Sequence, residues 1–266
     1  MDQNPCMRLT VLGTRGSVPI CGNDYTIFGG STSCYLVEAG GESIILDAGT
    51  GLLGAPSSFE REPTILLSHL HADHLLGLGM YKRISQPGAT TRLFVPARDT
   101  QDARVAINRL YSPPLWPVEL SSYKGDLQVE AMPRSMQIGD VFVETEQGSH
   151  PGTCLIIKIR YAQKSLVYAT DFEHNEEASF RLAEFSRNAD LVLYDGQYGA
   201  DQYESHRGFG HSTPDEGLSL IKRSGAKQLL IIHHDPLSTD SMLLERERTL
   251  NHPHVRFARE GKAIEL

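Results

Sequence analysis

Four side chains able to hold a metal ion, His69, His71, Asp73 and His74, fall within six residues, one residue after the apolar run Ile65, Leu66 and Leu67. At the end of a strand successive side chains alternate faces, so His69 and His71 point the same way and can share one ion. Asp73 and His74 follow where the chain turns, and that change of direction can aim them at a second ion. Imidazole with carboxylate suits zinc, and iron or manganese where water completes the shell. A chance cluster of histidines in a polar loop is the plain alternative. A hydrophobic strand opening into HxHxDH has a mechanism that such a loop lacks.

The elements that must position these groups repeat one design, an extended apolar run that delivers a ligand-type residue. Met7 to Gly13 reads as a first strand. Ser33 to Ala39 and Glu42 to Leu46 read as a hairpin around Gly40-Gly41, and the second of these runs into Asp47. That carboxylate either orients a neighbouring ligand or caps the glycine-rich turn after it. The HxHxDH stretch leads into a helix-like segment, Leu75 to Ile84. A strand over 91–95, a helix over 100–110 and an irregular Pro-rich segment, Tyr111 to Val118, follow, with the only Trp, Trp116, either walling a pocket or packing on the core. Strand patterns over 127–131, 140–145 and 153–160 enclose a turn at His150. Ser165 to Thr170 delivers Asp171, which can bridge two cations or cap the helix over 176–188. A strand over 189–194 ends at Asp195, and 197–210 reads as a polar loop. At His211-Ser212-Thr213-Pro214, Ser212 or Thr213 can cap a helix that ends at Gly225. Gln228 to Ile232 then runs into His233-His234-Asp235. A helix over 239–250 and short strands over 255–257 and 263–266 complete the chain.

The 266 residues suffice for a large buried core, and with no linker or low-complexity segment a single domain over 1–266 is expected. A formal net charge of −8 disfavours nucleic acid as a partner. The polar N-terminus lacks the features of a secretory signal and no run approaches membrane-spanning length, so a soluble cytoplasmic protein with no membrane partner is expected. Four scattered cysteines without a CxxC imply neither a disulfide framework nor a structural zinc knuckle.

Taken in order, His69/His71/Asp73/His74, His150, Asp171, His211 and His233/His234 resemble the metallo-beta-lactamase fold superfamily, in its branch with ribonuclease Z and the cyclic-nucleotide phosphodiesterase-like enzymes. The segments GTRGS (13–17), GGSTSC (29–34), DAGTG (47–51) and HHDP (233–236) look like a bacterial subgroup of that branch. The resemblance implies an α/β fold, a four-layer αββα sandwich, and two divalent metal ions, zinc first with manganese or iron as alternatives. It implies one ion on His69, His71 and His150, the other on Asp73, His74 and His233, and Asp171 as the bridge. His234 is the fallback for His233. His211 matches a histidine near the leaving group, and Asp73 and His211 are the catalytic candidates. Ser31 stands where the subgroup commonly has Asn. The long basic arm with which ribonuclease Z enzymes grip transfer RNA has no evident counterpart here.

Two neighbouring cations acidify a water held between them, which predicts a hydroxide attacking phosphorus in line and His211 protonating the departing alkoxide near neutral pH. The expectation is a metal-dependent hydrolase acting on a small phosphodiester such as a cyclic nucleotide, a homodimer being one candidate assembly. The competing expectations are hydrolysis of an amide, lactone or thioester, an RNA-processing nuclease, and a non-enzymatic binding protein on the same fold. Arg15, Tyr198, Tyr203, Arg207 and the 111–116 loop are the candidates for contacting substrate.

Overall fold

In the computed structural model, which describes residues 6–266, β1 (Met7–Gly13) pairs antiparallel with β2 (Cys34–Ala39). Gly40 and Gly41, at φ 60° and 77°, then turn β2 tightly into β3 (Glu42–Leu46). That left-handed pair is the backbone a two-residue hairpin turn requires. From β3 onward the pairing is parallel, through β4 (Thr64–Leu66), β5 (Thr90–Val95) and β6 (Asp126–Ala131). The second sheet has the same plan. β7 (Ser135–Ile138), β8 (Val141–Gln147), β9 (Leu155–Tyr161) and β10 (Lys164–Ala169) are antiparallel neighbours. β11 (Leu191–Asp195), β12 (Leu229–Ile232) and β13 (Val255–Phe257) continue parallel to β10. β14 (Ala263–Glu265) returns to the first sheet beside β1.

Period-two alternation decides which residues fill the space between the sheets. Met7, Leu9 and Val11 of β1 and Val37 of β2 face Leu166 and Tyr168 of β10 and Leu191 and Leu193 of β11. The alternate residues point outward to helices, because parallel connections must cross over a sheet face. Leu36, Ile45, Ile65 and Leu93 cluster with Ala103 and Ile107 of a helix over Thr100–Leu110. Val167, Val192 and Ile231 cluster with Leu182 of Glu176–Phe185, Leu220 of Pro214–Ser224 and Leu243 of Asp240–Leu250. The result is the expected αββα sandwich. The helix over 214–224 has the caps its sequence signals: Thr213 accepts from the Glu216 amide, Pro214 opens the first turn and Gly225 leaves it at φ 68°.

Three local expectations fail. The helix-like pattern from Leu75 to Ile84 forms one short 3-10 turn, Leu78–Met80, and runs into a single helical turn, Lys82–Ser85. There the Gly77 amide donates to the Ala48 carbonyl at 2.9 Å, and a β-carbon on Gly77 would stand 2.1 Å from the Gly49 carbonyl. The segment lies flat against the DAGTG turn, and that tertiary contact outweighs local helical periodicity. The presumed loop over 197–210 contains short helical turns at Ala200–Tyr203 and Glu204–His206, and β7 escaped the sequence patterning. Trp116 packs its ring against Tyr111 and donates from Nε1 to the Tyr123 hydroxyl on the outer core, away from the histidine cluster. Among the described residues no helix is long and apolar enough to cross a membrane.

Candidate metal centre

The carboxyl ends of β3, β4, β10, β11 and β12 supply Asp47, His69, Asp171, Asp195 and His233 within three residues of their strands. In open α/β sheets such ends form the binding crevice, and here two sheets contribute to one. Asp47, Asp171 and His233 adopt left-handed backbone, φ 60°, 48° and 58°. For residues with a β-carbon that conformation costs about 1–2 kcal/mol each, and the surrounding hydrogen bonds and packing hold it in place.

Asp171 is the centre of the arrangement, with its two oxygens facing different partners. Oδ2 lies 3.5 Å from His69 Nε2 and 3.8 Å from His150 Nε2, whereas Oδ1 lies 3.2 Å from His74 Nε2 and 3.3 Å from His233 Nε2. His71 joins the first group through Nδ1, 3.1 Å from His150 Nε2. Asp73 joins the second, its Oδ2 3.2 Å from both His74 Nε2 and His233 Nε2. The seven residues expected to bind metal are thus brought together in two groups that share Asp171.

The donor set fits divalent cations. His69 Nε2 is buried without a hydrogen-bond partner, and His74 and His233 direct their Nε2 atoms at each other at 3.3 Å. Burial, then the neighbouring His74, pushes His69 well below the usual imidazole range, and burial lowers His150 as well, which leaves nitrogen lone pairs free to ligate. Burial would raise Asp171, yet His233, His74 and His69 around it hold its carboxyl well below the ordinary value. Burial likewise opposes charge on His74, but Asp171, Asp73 and Asp47 outweigh it and raise its pKa.

Behind these groups stands Asp47, whose role the sequence left open. It accepts from the Ser68 amide at 2.6 Å, Ser68 Oγ at 2.7 Å, His74 Nδ1 at 2.6 Å and the Tyr168 hydroxyl at 2.6 Å. Ser68 Oγ in turn accepts from His69 Nδ1 at 3.0 Å. One buried carboxylate therefore turns two imidazoles so that each presents Nε2 inward. His150 Nδ1 donates to the Gly210 carbonyl at 2.8 Å. Asp73 accepts from the Ser17 amide at 2.7 Å.

His211 lies beside the cluster, its ring stacked 4.9 Å from that of His233. Its Nδ1 donates to Asp195 Oδ2 at 2.8 Å, a partner that sequence reading missed although Asp195 ends a strand as Asp47 and Asp171 do. Burial disfavours a charge on His211, but the Asp195 carboxylate, then Asp171 and Asp73, overcome it and lift the pKa to about 9. In the metal-free protein this lies above the near-neutral titration expected from the sequence. His234 is set apart: its Nε2 pairs with the Ala258 carbonyl, and burial lowers its pKa to about 3.

The family model described as the beta-lactamase superfamily domain matches residues 42–234, which runs from β3 to these histidines. The chain belongs to that superfamily. Its superfamily relatives include the probable metallo-hydrolase YhfI of Bacillus subtilis, 24% identical over 96% of this chain and 98% of that one. The crystal structure of Bacillus subtilis YhfI superposes with a TM-score of 0.77 at 24% identity, covering 99% and 100% of the two chains. A diphosphatase of the PhnP family superposes at 0.72 with 18% identity, covering 98% of each chain. The mitochondrial ribonuclease Z 2 of Schizosaccharomyces pombe is 26% identical over 93% of this chain but only 37% of its own length.

The residues proposed to touch substrate are less concentrated. Arg15 is fully buried and donates to the carbonyls of Gly29, Asp235 and Ser238, so it braces loops and is not available to a phosphate. Tyr198 is buried with its ring edge-on to His211, Tyr203 stacks on His174, and Arg207 is exposed and paired with Glu204. Ser31 Oγ donates to Glu260 at 2.9 Å, outside the cluster.

Proposed function

We propose that this chain is a hydrolase of small phosphodiesters that works with two divalent metal ions, a cyclic nucleotide being the first substrate to test. The observation that carries the reading is the split of Asp171, one oxygen toward His69 and His150 and the other toward His74 and His233. His69, His71 and His150 would hold one ion, Asp73, His74 and His233 the other, with Asp171 between them. When bound, such ions supply acidified water and screen phosphoryl charge.

The chain's own contribution to bond cleavage is His211. A phosphodiester releases an alkoxide, which needs a proton. Asp195 holds Nδ1 and keeps the imidazole charged, leaving Nε2–H to be donated to the leaving oxygen. Cations on Asp171 and Asp73 would cancel those carboxylates' share of the lift and leave Asp195, already its principal source, as the group that sustains it. A buried acid of this kind is of most use against poor leaving groups, such as the alkoxide of an unactivated phosphodiester. Similarity to a diphosphatase and to ribonuclease Z supports phosphoryl chemistry, and the latter keeps RNA among the substrates to test. A soluble, cytoplasmic, single-domain protein fits this reading.

The test is metal content by mass spectrometry on the purified chain, with turnover of bis-p-nitrophenyl phosphate, 2′,3′- and 3′,5′-cyclic nucleotides, a precursor transfer RNA and nitrocefin. Two ions per chain and cleavage of the small phosphodiesters are expected. Absence of bound metal, or no phosphodiester turnover with zinc or manganese supplied, refutes the proposal.

A further inference from the structure

Three of the imidazoles that turn Nε2 to the cluster have the other ring nitrogen held, His74 by Asp47, His69 by Ser68 and His150 by the Gly210 carbonyl. His233 differs, because its Nδ1 is buried and has no hydrogen-bond partner. A neutral imidazole that keeps its lone pair on Nε2 carries its proton on Nδ1, so this atom is a donor without an acceptor. Gln197, 4% exposed and two residues beyond the end of β11, has the complementary deficit: its Oε1 is buried and unpartnered.

The two atoms share a neighbour in Gly16. Gly16 packs against both, and a β-carbon there would stand 2.4 Å from His233 Nδ1 and 2.8 Å from Gln197 Oε1. The amide is oriented from its other end, where Nε2 donates to Ser17 Oγ at 3.3 Å and to the Tyr198 hydroxyl at 3.2 Å. Its backbone is held too, the Gln197 amide donating to Asp195 Oδ1 at 3.0 Å. The oxygen is therefore the end of the side chain left for His233. The Asp195-Gly196-Gln197 turn, which contributes none of the seven expected ligands, holds His211 through its first residue and brings its third to the Gly16 side of His233.

We propose that Gln197 is the positioning residue of His233: its Oε1 accepts the Nδ1 proton, fixes the tautomer that offers Nε2 to the Asp73 and His74 group, and requires glycine at position 16. This rests on the reading of His233 as a metal ligand. Groups of this kind set ligand basicity and ring orientation, and their removal typically weakens metal binding about 10–100-fold.

The experiment titrates the metal-free protein with zinc against a chromophoric chelator, for the wild type, Gln197→Leu, Gln197→Glu and His233→Ala. Gln197→Leu, which keeps the bulk and removes the acceptor, is expected to weaken one of two binding steps about 10–100-fold. The other step and the melting temperature of the metal-free protein should stay unchanged. Gln197→Glu, which keeps an acceptor, should restore the lost step. In zinc-loaded protein labelled with ¹⁵N-histidine, a slowly exchanging His233 Nδ1–H should be present in the wild type and Gln197→Glu and absent in Gln197→Leu. Wild-type affinity in Gln197→Leu overturns the proposal. So does failure of Gln197→Glu to restore binding, or weakening of both steps together with the melting temperature. If His233→Ala leaves both steps intact, the ligand reading itself fails; if it removes one step that Gln197→Leu leaves untouched, only the role of Gln197 fails.

Discussion

The first sheet delivers His69, His71, Asp73 and His74 from one segment after β4, whereas the second delivers His150, Asp171, His211 and His233 from four separate strand ends and turns. Their supports differ in the same way. In the first half a single carboxylate, Asp47, holds His74 directly and His69 through Ser68. In the second, His150 leans on the Gly210 carbonyl and His211 on Asp195. Ligands close in sequence can share one buried anchor, but ligands far apart each need their own. The consequence is a difference in fragility: His69 and His74 fail together, the groups of the second half piece by piece.

Asp171 joins the halves, so its loss should have the largest effect. Asp171→Ala is expected to abolish binding of both ions and cut turnover at least about a thousandfold, about 4 kcal/mol of transition-state stabilisation. Retention of one ion at native affinity would show that the halves are independent, breaking the comparison at its joint. Asp47→Ala tests the shared anchor. It leaves the Ser68 amide, the Tyr168 hydroxyl and His74 Nδ1 without their buried acceptor, a loss expected to cost about 3–5 kcal/mol of stability and to weaken ligands of both proposed ions. Chemical denaturation measures the first effect and zinc titration the second. A loss of stability below about 1 kcal/mol would contradict the hub.

The second half should yield one function at a time. His211→Ala is expected to keep both ions while losing about 10²–10⁴-fold in kcat on substrates with alkoxide leaving groups and far less on nitrophenyl esters. Loss of metal would instead make His211 a ligand, as its closeness to Asp171 and His233 allows. Asp195→Asn gives a subtler readout. A general acid works protonated, so the rate falls as pH rises through its pKa. Asp195 raises that pKa, and its neutralisation should therefore move the alkaline limb of kcat/KM to lower pH without changing metal content. An unmoved limb would remove Asp195 from the mechanism. The smallest effect is expected outside both halves: Ser31→Asn, which alters only a hydrogen bond to Glu260, should change stability by no more than about 0.5 kcal/mol and leave turnover intact.

The two halves were also unequally legible. HxHxDH after a strand can be read locally because its residues lie within one turn of each other, and most strand bounds followed from alternation and glycine turns, β1 and β3 to the residue. Failures came where distant contacts decided the conformation. Gly77 against the DAGTG turn unmade a helix, and Arg15, whose charge suggested phosphate, was spent on carbonyls more than two hundred residues away. The pairing of Asp195 with His211 had a weak local signal, a carboxylate after a buried strand, that nothing in its immediate surroundings could separate from a turn cap.

What the amino-acid sequence determined by itself was therefore the chemistry available and most of the strands, since ligand types and apolar periodicity are properties of short stretches; the αββα frame was implied by the resemblance that its ordered motifs carry. The tertiary structure alone decided which oxygen of Asp171 faces which histidines, that Asp47 serves two imidazoles at once, and that His233 and not His234 turns into the cluster. Those are matters of distance between residues remote in the chain, and they arise only when two sheets bring their carboxyl ends to one edge.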